Sequence, residues 1–149
     1  MIGLDTNILV RYIVRDDARQ AQVATRLIEL RCTAEDPGLV NLIVLCELVW
    51  VLDRGYEYDR KTISGVIRRL LTVEELHVDG SDLAWQALNL YESGKADFAD
   101  YLIGLSNRSR KAAVTYTFDR RTAGCGLFKL AGERPPDLHP NPGPRLLSQ

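Results

Sequence analysis

The chain has 149 residues with 46% hydrophobic and 26% charged side chains, and its formal net charge is −1. These values are typical of one globular domain with a substantial core, and no apolar run reaches the roughly 18 residues that a membrane helix needs. Three cysteines without metal-type spacing favour a reducing environment. We therefore expect a cytoplasmic protein that has no signal peptide and does not bind membranes.

The first half of the chain alternates short apolar runs with helical patterns. Residues 1–4 predict a buried strand, and a helix follows directly. Asp16 and Asp17 offer N-caps for the next helix, which reaches about residue 31. The remaining predicted elements of this half are, in order, a strand at 38–41, a buried helix at 43–52 and an amphipathic helix at 59–71.

The second half continues the alternation and ends in a proline-rich tail. Its predicted elements are a strand at 75–78, a helix at 81–91, a helix at 97–111, a strand at 112–118 and a short edge strand at 127–130. On the apolar side of the helix at 97–111 we place Leu102, Ile103 and Leu105. We divide the chain into one domain at 1–134 and a loosely ordered tail at 135–149.

Strands that alternate with helices predict an α/β fold, in which a central parallel sheet lies between two layers of helices as an α/β/α sandwich. Right-handed crossovers bring the carboxyl ends of all strands to one edge of such a sheet. Acidic residues that follow different strands are thereby gathered at the edge where α/β sheets bind ligands.

Asp5 stands where the first strand ends and the first helix begins. This position suits a ligand site in the crevice of an α/β sheet. It also suits a helix cap, because Asp, Thr and Asn commonly cap helices, and Asp5 is followed by Thr6 and Asn7. For Asp5 alone the two interpretations are evenly matched, and acids at similar places further along favour the site.

Glu47 lies in the otherwise apolar helical run at 43–52. A carboxylate that is buried there without a partner would be very costly. Glu47 therefore either points out through the one polar stripe of its helix, forms a structural salt bridge, or serves a functional site. We favour the site, with a buried Glu47 as part of it.

Three more acids lie at the ends of predicted elements. Asp97 and Asp100 are three residues apart at a helix start, where capping and the helix dipole would also explain them. Asp119 directly follows the strand at 112–118, and the Thr117 hydroxyl two residues earlier is placed to orient a carboxylate or a water.

A set of carboxylates without nearby histidine or cysteine predicts Mg²⁺, or Mn²⁺, rather than zinc. The two histidines, His77 and His139, lie in a short strand and in the proline-rich tail, and neither has metal-ligand spacing. Glycine-rich phosphate loops are absent from the sequence. The acids are therefore the strongest candidates for chemistry.

Positive charge is concentrated near the end of the domain. Residues 101–134 hold seven Lys or Arg against two acids, whereas residues 1–100 hold eleven Lys or Arg against seventeen acids. A basic segment beside carboxylates suits a polyanion that approaches a metal, and the plain alternative is a solvated helix face. The candidate phosphate contacts are Arg108, Arg110, Lys111, Arg120 and Arg121.

Four segments resemble, in order and in spacing, the motifs of the PIN domain and, more narrowly, of the VapC toxins of bacterial toxin–antitoxin pairs. They are Leu4-Asp5-Thr6-Asn7-Ile8-Leu9, Glu47 in its apolar helix, Asp97-Phe98-Ala99-Asp100-Tyr101-Leu102-Ile103 and Thr117-Phe118-Asp119. The resemblance covers roughly residues 1–130. Gly104 departs mildly from it, since small alanines are frequent there in relatives, and the tail is not part of the pattern.

The resemblance implies an Mg²⁺-dependent ribonuclease that forms a homodimer and is held in check by a cognate antitoxin. Carried over by position, it makes Asp5, Glu47, Asp100 and Asp119 the catalytic acids and metal ligands, with Asp97 as an auxiliary acid and Thr6, Asn7 and Thr117 as polar support. In the implied mechanism one or two Mg²⁺ ions activate a water for in-line attack on an RNA phosphate. Trp50, Leu52, Tyr56 and Tyr58 are either interface residues or core.

Two other classes remain as alternatives. An Mg²⁺-binding phospho-acceptor signalling domain also gathers acids at the carboxyl ends of a parallel sheet, but it gives no reason for Glu47. A PIN-like module that binds RNA or a partner without cutting is typically marked by loss of the acids, which this chain retains.

Overall fold

A computed structural model describes residues 1–132 of the protein. Residues 133–149, with the predicted tail, His139 and the predicted domain end at 134, lie outside the described residues. The strands are β1 (Ile2–Gly3), β2 (Gly38–Val40), β3 (Leu76–Val78), β4 (Thr115–Thr117) and β5 (Phe128–Leu130). The helices are α1 (Thr6–Val14), α2 (Ala18–Arg31), α3 (Leu42–Trp50), α4 (Arg60–Thr72), α5 (Ser81–Ser93), α6 (Phe98–Ser109) and α7 (Arg120–Ala123).

All strand pairs in this part of the chain are parallel. β1 pairs with β2 and β2 pairs with β3, so that the first sheet has the order β1-β2-β3, and β4 pairs with β5 in a second sheet. Helices connect the successive strands, as a parallel arrangement requires. The predicted α/β/α fold is confirmed, while the predicted central sheet is divided into two hydrogen-bonded pieces within residues 1–132.

Short polar side chains begin several helices. The side chain of Asp17 accepts a hydrogen bond from the Gln20 backbone at the start of α2, and Asp59 accepts one from Thr62 at the start of α4. These bonds satisfy backbone donors that a helix start leaves unpaired. Asp16 has a different role from the one predicted, because its carboxylate binds the Arg11 guanidinium and the Tyr56 hydroxyl.

The core is formed by apolar residues from both halves of the chain. Five of its fully buried members, drawn from four helices, are Leu9, Leu45, Leu48, Leu88 and Phe98. The prediction for Ile103 is wrong: this side chain is 49% exposed, because the apolar side of α6 is formed by its neighbours in the sequence and in the next turn. In residues 1–132 no helix has both the length and the hydropathy that crossing a membrane requires.

The helix predicted at 43–52 is longer than expected and changes its geometry. α3 ends at Trp50, and the chain continues as a π-helical segment, Val51–Gly55. Such segments are rare in proteins, and where they occur they often lie at functional sites. Leu52 inside the segment is fully buried and belongs to the core, whereas Trp50 just before it is 65% exposed.

Close packing, which the sequence did not reveal, explains why residue 104 is a glycine. A Cβ atom at Gly104 would lie 2.7 Å from a ring carbon of Phe128 and 2.9 Å from the Cβ of Leu127. Glycine therefore lets α6 lie closely against the start of β5. The mild departure from the family pattern is a matter of helix-to-strand packing and leaves the acids unaffected.

Candidate active site

The first acidic residues line a surface cavity at the carboxyl end of β1. Its lining is formed by the start of α1 and the exposed side of α3, and its volume is about 280 Å³. The residues around it are Asp5, Thr6, Asn7, Glu47, Trp50 and Val51. The structure thus brings the predicted acid Glu47 beside Asp5, Thr6 and Asn7, which lie 40 to 42 positions earlier in the sequence.

Asp5 occupies the N-cap position of α1 but does not act as a cap. Its backbone is extended, with φ −81° and ψ 160°, and its side chain makes no capping hydrogen bond. The capping interpretation of Asp5 is therefore not supported. The carboxylate remains exposed at the cavity, in the position that strand ends of α/β sheets provide for ligands.

A short hydrogen bond joins Glu47 on α3 to Thr6 at the start of α1, across the same cavity. The Thr6 hydroxyl, which is only 5% exposed, donates to Glu47 Oε2 over 2.6 Å. The prediction that Glu47 is buried is wrong, because Glu47 is exposed on the side of α3 that also carries Ile43 and Trp50. Its neighbours in the sequence are apolar because most of them face the core, and the exposed stripe between them opens into the cavity.

A second group of acids lies where α6 begins and β4 ends. The Asp97 backbone N–H donates to Asp100 Oδ2 over 3.2 Å, so that this carboxylate contributes to the start of α6. The Thr122 hydroxyl in α7 donates to the same oxygen over 3.3 Å. Asp119, the N-cap of α7, accepts a hydrogen bond from the Arg121 backbone over 2.8 Å.

The two carboxylates of this group that contact Thr122 have pKa values shifted in opposite directions. Burial raises the pKa of Asp100 above its usual value, and the negative charges of Asp97 and Asp119 act in the same direction. The Arg121 backbone N–H lowers the pKa of Asp119, with further help from the Thr122 backbone and hydroxyl. Of these two carboxylates, Asp100 is therefore the one whose charged form would gain more from a cation beside it.

Thr122 is a site residue that the sequence analysis missed. It is almost fully buried, and its hydroxyl contacts Asp100 and also contributes to the lowered pKa of Asp119. The only available signal was its place three residues after Asp119, in a stretch without a helical pattern. Thr117, which was predicted to orient a carboxylate, accepts from the Asp119 backbone N–H over 3.0 Å and so fixes the turn that carries this acid.

Four of the acids form no salt bridge within residues 1–132, namely Asp5, Glu47, Asp97 and Asp100. Uncompensated carboxylates that share a region suit a hard divalent cation with oxygen ligands, so the chemistry of the donors fits Mg²⁺ or Mn²⁺. In the same residues no three His, Cys, Asp or Glu side chains lie close enough together to hold one ion. Joint binding of one metal by these acids therefore stays a prediction.

The predicted phosphate contacts are all exposed. Arg108 is in the last turn of α6, Arg110 and Lys111 follow it, and Arg120 and Arg121 open α7. In the described part of the chain only Arg121 among them forms a salt bridge, at 3.7 Å from Asp119 Oδ2. Arg120 and Arg121 thus lie directly after Asp119, whereas Arg108, Arg110 and Lys111 lie at the opposite end of α6 from Asp97 and Asp100.

Comparisons with known proteins found a matching family and a relative. A family model described as PIN domain matches residues 2–124. A protein named VapC ribonuclease, from Aquifex aeolicus (strain VF5), is 24% identical over 124 residues, which are 83% of this chain and 91% of that protein. No solved structure matches the chain significantly.

Proposed function

The chain belongs to the PIN domain family, and on that premise we propose that it is a metal-dependent endoribonuclease that hydrolyses RNA phosphodiester bonds. The relative from Aquifex aeolicus carries the name VapC ribonuclease, which supports RNA as the substrate class. The same likeness supports a role as the toxin of a VapBC-type toxin–antitoxin pair.

The cavity shared by Asp5 and Glu47 is the observation that carries the proposal. The side chain of Asp5 makes no capping hydrogen bond to α1. Glu47 accepts a hydrogen bond from the buried Thr6 hydroxyl and forms no salt bridge within residues 1–132. The missing cap costs α1 some stability, because an Asp at this position could accept a backbone N–H of the first turn. Such features are expected where side chains serve a ligand.

The metal in this proposal would be held by Asp5, Glu47 and Asp100, with Asp119 and Asp97 as further donors. When bound, a divalent ion of this kind polarises a phosphate and lowers the pKa of a nearby water. All proposed donors are carboxylates, which select Mg²⁺ or Mn²⁺ over softer metals.

Two buried hydroxyls leave one oxygen of each of two acids available. Thr6 binds Oε2 of Glu47, and within residues 1–132 no hydrogen bond engages Oε1. In the same residues Asp100 Oδ2 accepts from Thr122 and from the Asp97 backbone, while no hydrogen bond engages Oδ1. The threonines therefore orient the carboxylates and hold their charge, as outer partners of metal ligands commonly do.

Exposed cations at the end of α6, just after it and at the start of α7 are proposed to hold phosphates of the bound RNA. A polyanion approaching several carboxylates is repelled, so its binding depends on neighbouring positive charge. Each phosphate contact that is removed should lower the salt dependence of RNA affinity by about one unit of slope. The proposed contacts are Arg108, Arg110, Lys111, Arg120 and Arg121.

The remaining parts of the proposal concern assembly and compartment. By likeness to VapC proteins we propose a homodimer, a cognate antitoxin protein that blocks cleavage, and action in the cytoplasm on cellular RNA. The three thiols, Cys32, Cys46 and Cys125, are all free, which is compatible with a reducing compartment.

The test is cleavage of single-stranded RNA by the purified protein with Mg²⁺, with Mn²⁺ and with EDTA. The proposal expects cleavage with either metal and none with the chelator, and cleavage in EDTA would contradict metal dependence. Incubation with acetyl phosphate tests the phospho-acceptor alternative, which predicts a stable phosphoprotein. Intact RNA under every metal condition, with RNA still bound, would favour the non-cleaving alternative and overturn the nuclease proposal.

A further inference from the structure

Trp50 is, like Tyr116 and Phe118, a large aromatic residue whose exposure the proposed chemistry leaves unexplained, and it is the one of the three that lines the cavity of Asp5 and Glu47. Its side chain is 65% exposed at the end of α3, one helical turn after Glu47. An indole of this size in water forgoes a large apolar contact area. The protein contains one other tryptophan, Trp85, which is half-buried in α5 and packs against the core.

Trp50 lies between the two acid groups. On one side it lines the cavity of Asp5 and Glu47. On the other side it lines a second cavity of about 140 Å³, whose wall includes Asp97 and Arg54. A flat aromatic ring thus borders acids from both halves of the proposed site, at the place where an RNA strand would have to pass.

The second cavity contains two guanidinium groups with different roles. Arg60 donates to the Tyr91 carbonyl over 2.7 Å and to the Ala96 carbonyl, and its charge lies 3.8 Å from the centre of the Tyr91 ring. Arg60 is therefore engaged in holding the fold. Arg54 is 62% exposed, and within residues 1–132 its one salt bridge is a 3.6 Å contact with Asp53 beside it.

An exposed indole beside an available guanidinium matches the chemistry of an unpaired nucleotide. Aromatic rings stack on bases of any sequence, and a planar guanidinium binds phosphate in a bidentate way. Stacking of an uncharged base on the indole is not opposed by the nearby carboxylates, although they repel the phosphates. The ring is thus suited to hold an RNA strand where backbone contacts alone would be weak.

We propose that Trp50 stacks on an unpaired base of the RNA next to the cut, and that Arg54 binds a phosphate of the same strand. This inference rests on the proposed ribonuclease function and adds a nucleotide subsite to it. It makes the enzyme selective for unpaired RNA, because bases inside a duplex cannot reach the indole.

Tryptophan fluorescence can observe this subsite directly. In the double variant Trp85→Phe/Asp100→Asn, Trp50 is the only indole and the proposed chemistry is disabled. Titration with a single-stranded RNA of about ten nucleotides should quench its emission, whereas the same RNA in a duplex should not. A denaturing gel of the recovered RNA confirms that it stayed intact.

Affinity measurements on matched variants separate stacking from other effects. In the Asp100→Asn background, Trp50→Ala should weaken binding of the single strand about tenfold or more, and Trp50→Phe should retain most of the affinity. Arg54→Ala should weaken binding and lower its salt slope by about one. Leu30→Ala and Arg31→Ala remove an exposed apolar residue and an exposed cation from the far end of α2, and should change neither quantity.

The outcomes distinguish this inference from the function it rests on. If wild-type protein cleaves RNA while Trp50 shows no quenching and Trp50→Ala binds like Leu30→Ala, the subsite is wrong and the nuclease stands. If Trp50→Ala changes the oligomeric mass and leaves RNA affinity unchanged, the ring covers a protein surface and the subsite is again wrong. If the wild type neither binds nor cleaves RNA, both proposals fail together.

Discussion

The two acid groups of the candidate site differ in how many hydrogen bonds their carboxylates contribute to local structure. Beside β1, Asp5 makes no capping hydrogen bond and Glu47 contacts only a threonine hydroxyl among the described residues. Around α6 and α7, Asp100 accepts a backbone N–H at its helix start and Asp119 caps the next helix. Acids of the first group are thus available for a ligand, while those of the second group also hold local structure.

This difference teaches that similar positions in the sequence do not imply similar duties. Asp5, Asp97 and Asp100 all stand at predicted helix starts, and capping was an alternative explanation for each of them beforehand. The structure separates them by their hydrogen bonds. Substitution in the first group should therefore affect chemistry alone, whereas substitution in the second group should affect both chemistry and stability.

The largest expected effect is at the first group. Asp5→Asn and Glu47→Gln should each lower cleavage more than about 100-fold, because losing a ligand exceeds the 10- to 100-fold loss typical of its outer partners. Circular dichroism and melting temperature should stay close to wild type, since Asp5 makes no capping hydrogen bond and the amide oxygen of Gln can still accept the Thr6 hydroxyl. Glu29→Gln, an exposed residue of α2, is the matched control. Full cleavage by either purified variant would remove it from the site.

A smaller loss is expected when the orienting hydroxyl is removed. Thr6→Val keeps the shape of this buried side chain and deletes the donor to Glu47 Oε2. We expect cleavage to fall about tenfold, and half-saturation by Mg²⁺ to move to higher concentration. Thr62→Val, an exposed threonine in α4, serves as the control. An unchanged Mg²⁺ requirement would show that Thr6 supports only the fold.

The smallest effect concerns the stability of the second group. The folded-state pKa of Asp100 is raised, so its carboxylate costs stability above that pKa, and the cost disappears as the pH falls towards the unfolded value. In EDTA at pH 7, Asp100→Asn should therefore raise the melting temperature by about 1 to 2 °C, and the gain should vanish in acid.

Adding Mg²⁺ should reverse the order of the two proteins in the same experiment. A ligand at free concentration c that binds only the folded state stabilises it by RT ln(1 + c/Kd), so the protein that binds Mg²⁺ more tightly gains more at a given concentration. The wild type should then melt above Asp100→Asn, because the variant lacks a proposed donor. Equal Mg²⁺ shifts for the two proteins would separate Asp100 from the metal.

Much of the fold was accessible from the sequence because its signals are local. Alternating apolar runs and helical patterns predicted all five strands and six of the helices, and Asp17 caps a helix as predicted. The short α7 was missed because its four residues have no apolar periodicity. The π-helical segment was missed because Val51 and Leu52 continue the apolar pattern of α3, while Asp53, Arg54 and Gly55 predict the end of a helix.

The candidate site was predicted in its composition and less well in its environment. The cavity joins Asp5 with Glu47, as predicted, but Glu47 is exposed and not buried. Its exposure could not be predicted because every neighbour of the acid in the sequence is apolar, which hides the one exposed stripe of α3. Thr122 was missed because its role arises from the packing of α7 against α6. Ile103 was misplaced because a helix with polar and apolar residues intermixed does not reveal which way it is turned.

The division of the strands into two sheets bears on how the halves of the site meet. Within residues 1–132 no backbone ladder ties β1 to β4, and α3 and α6 are in contact across the gap. The spacing between the two acid groups is therefore fixed by the packing of α3 against α6 and not by a shared backbone ladder, so a substitution in that contact would move one group relative to the other.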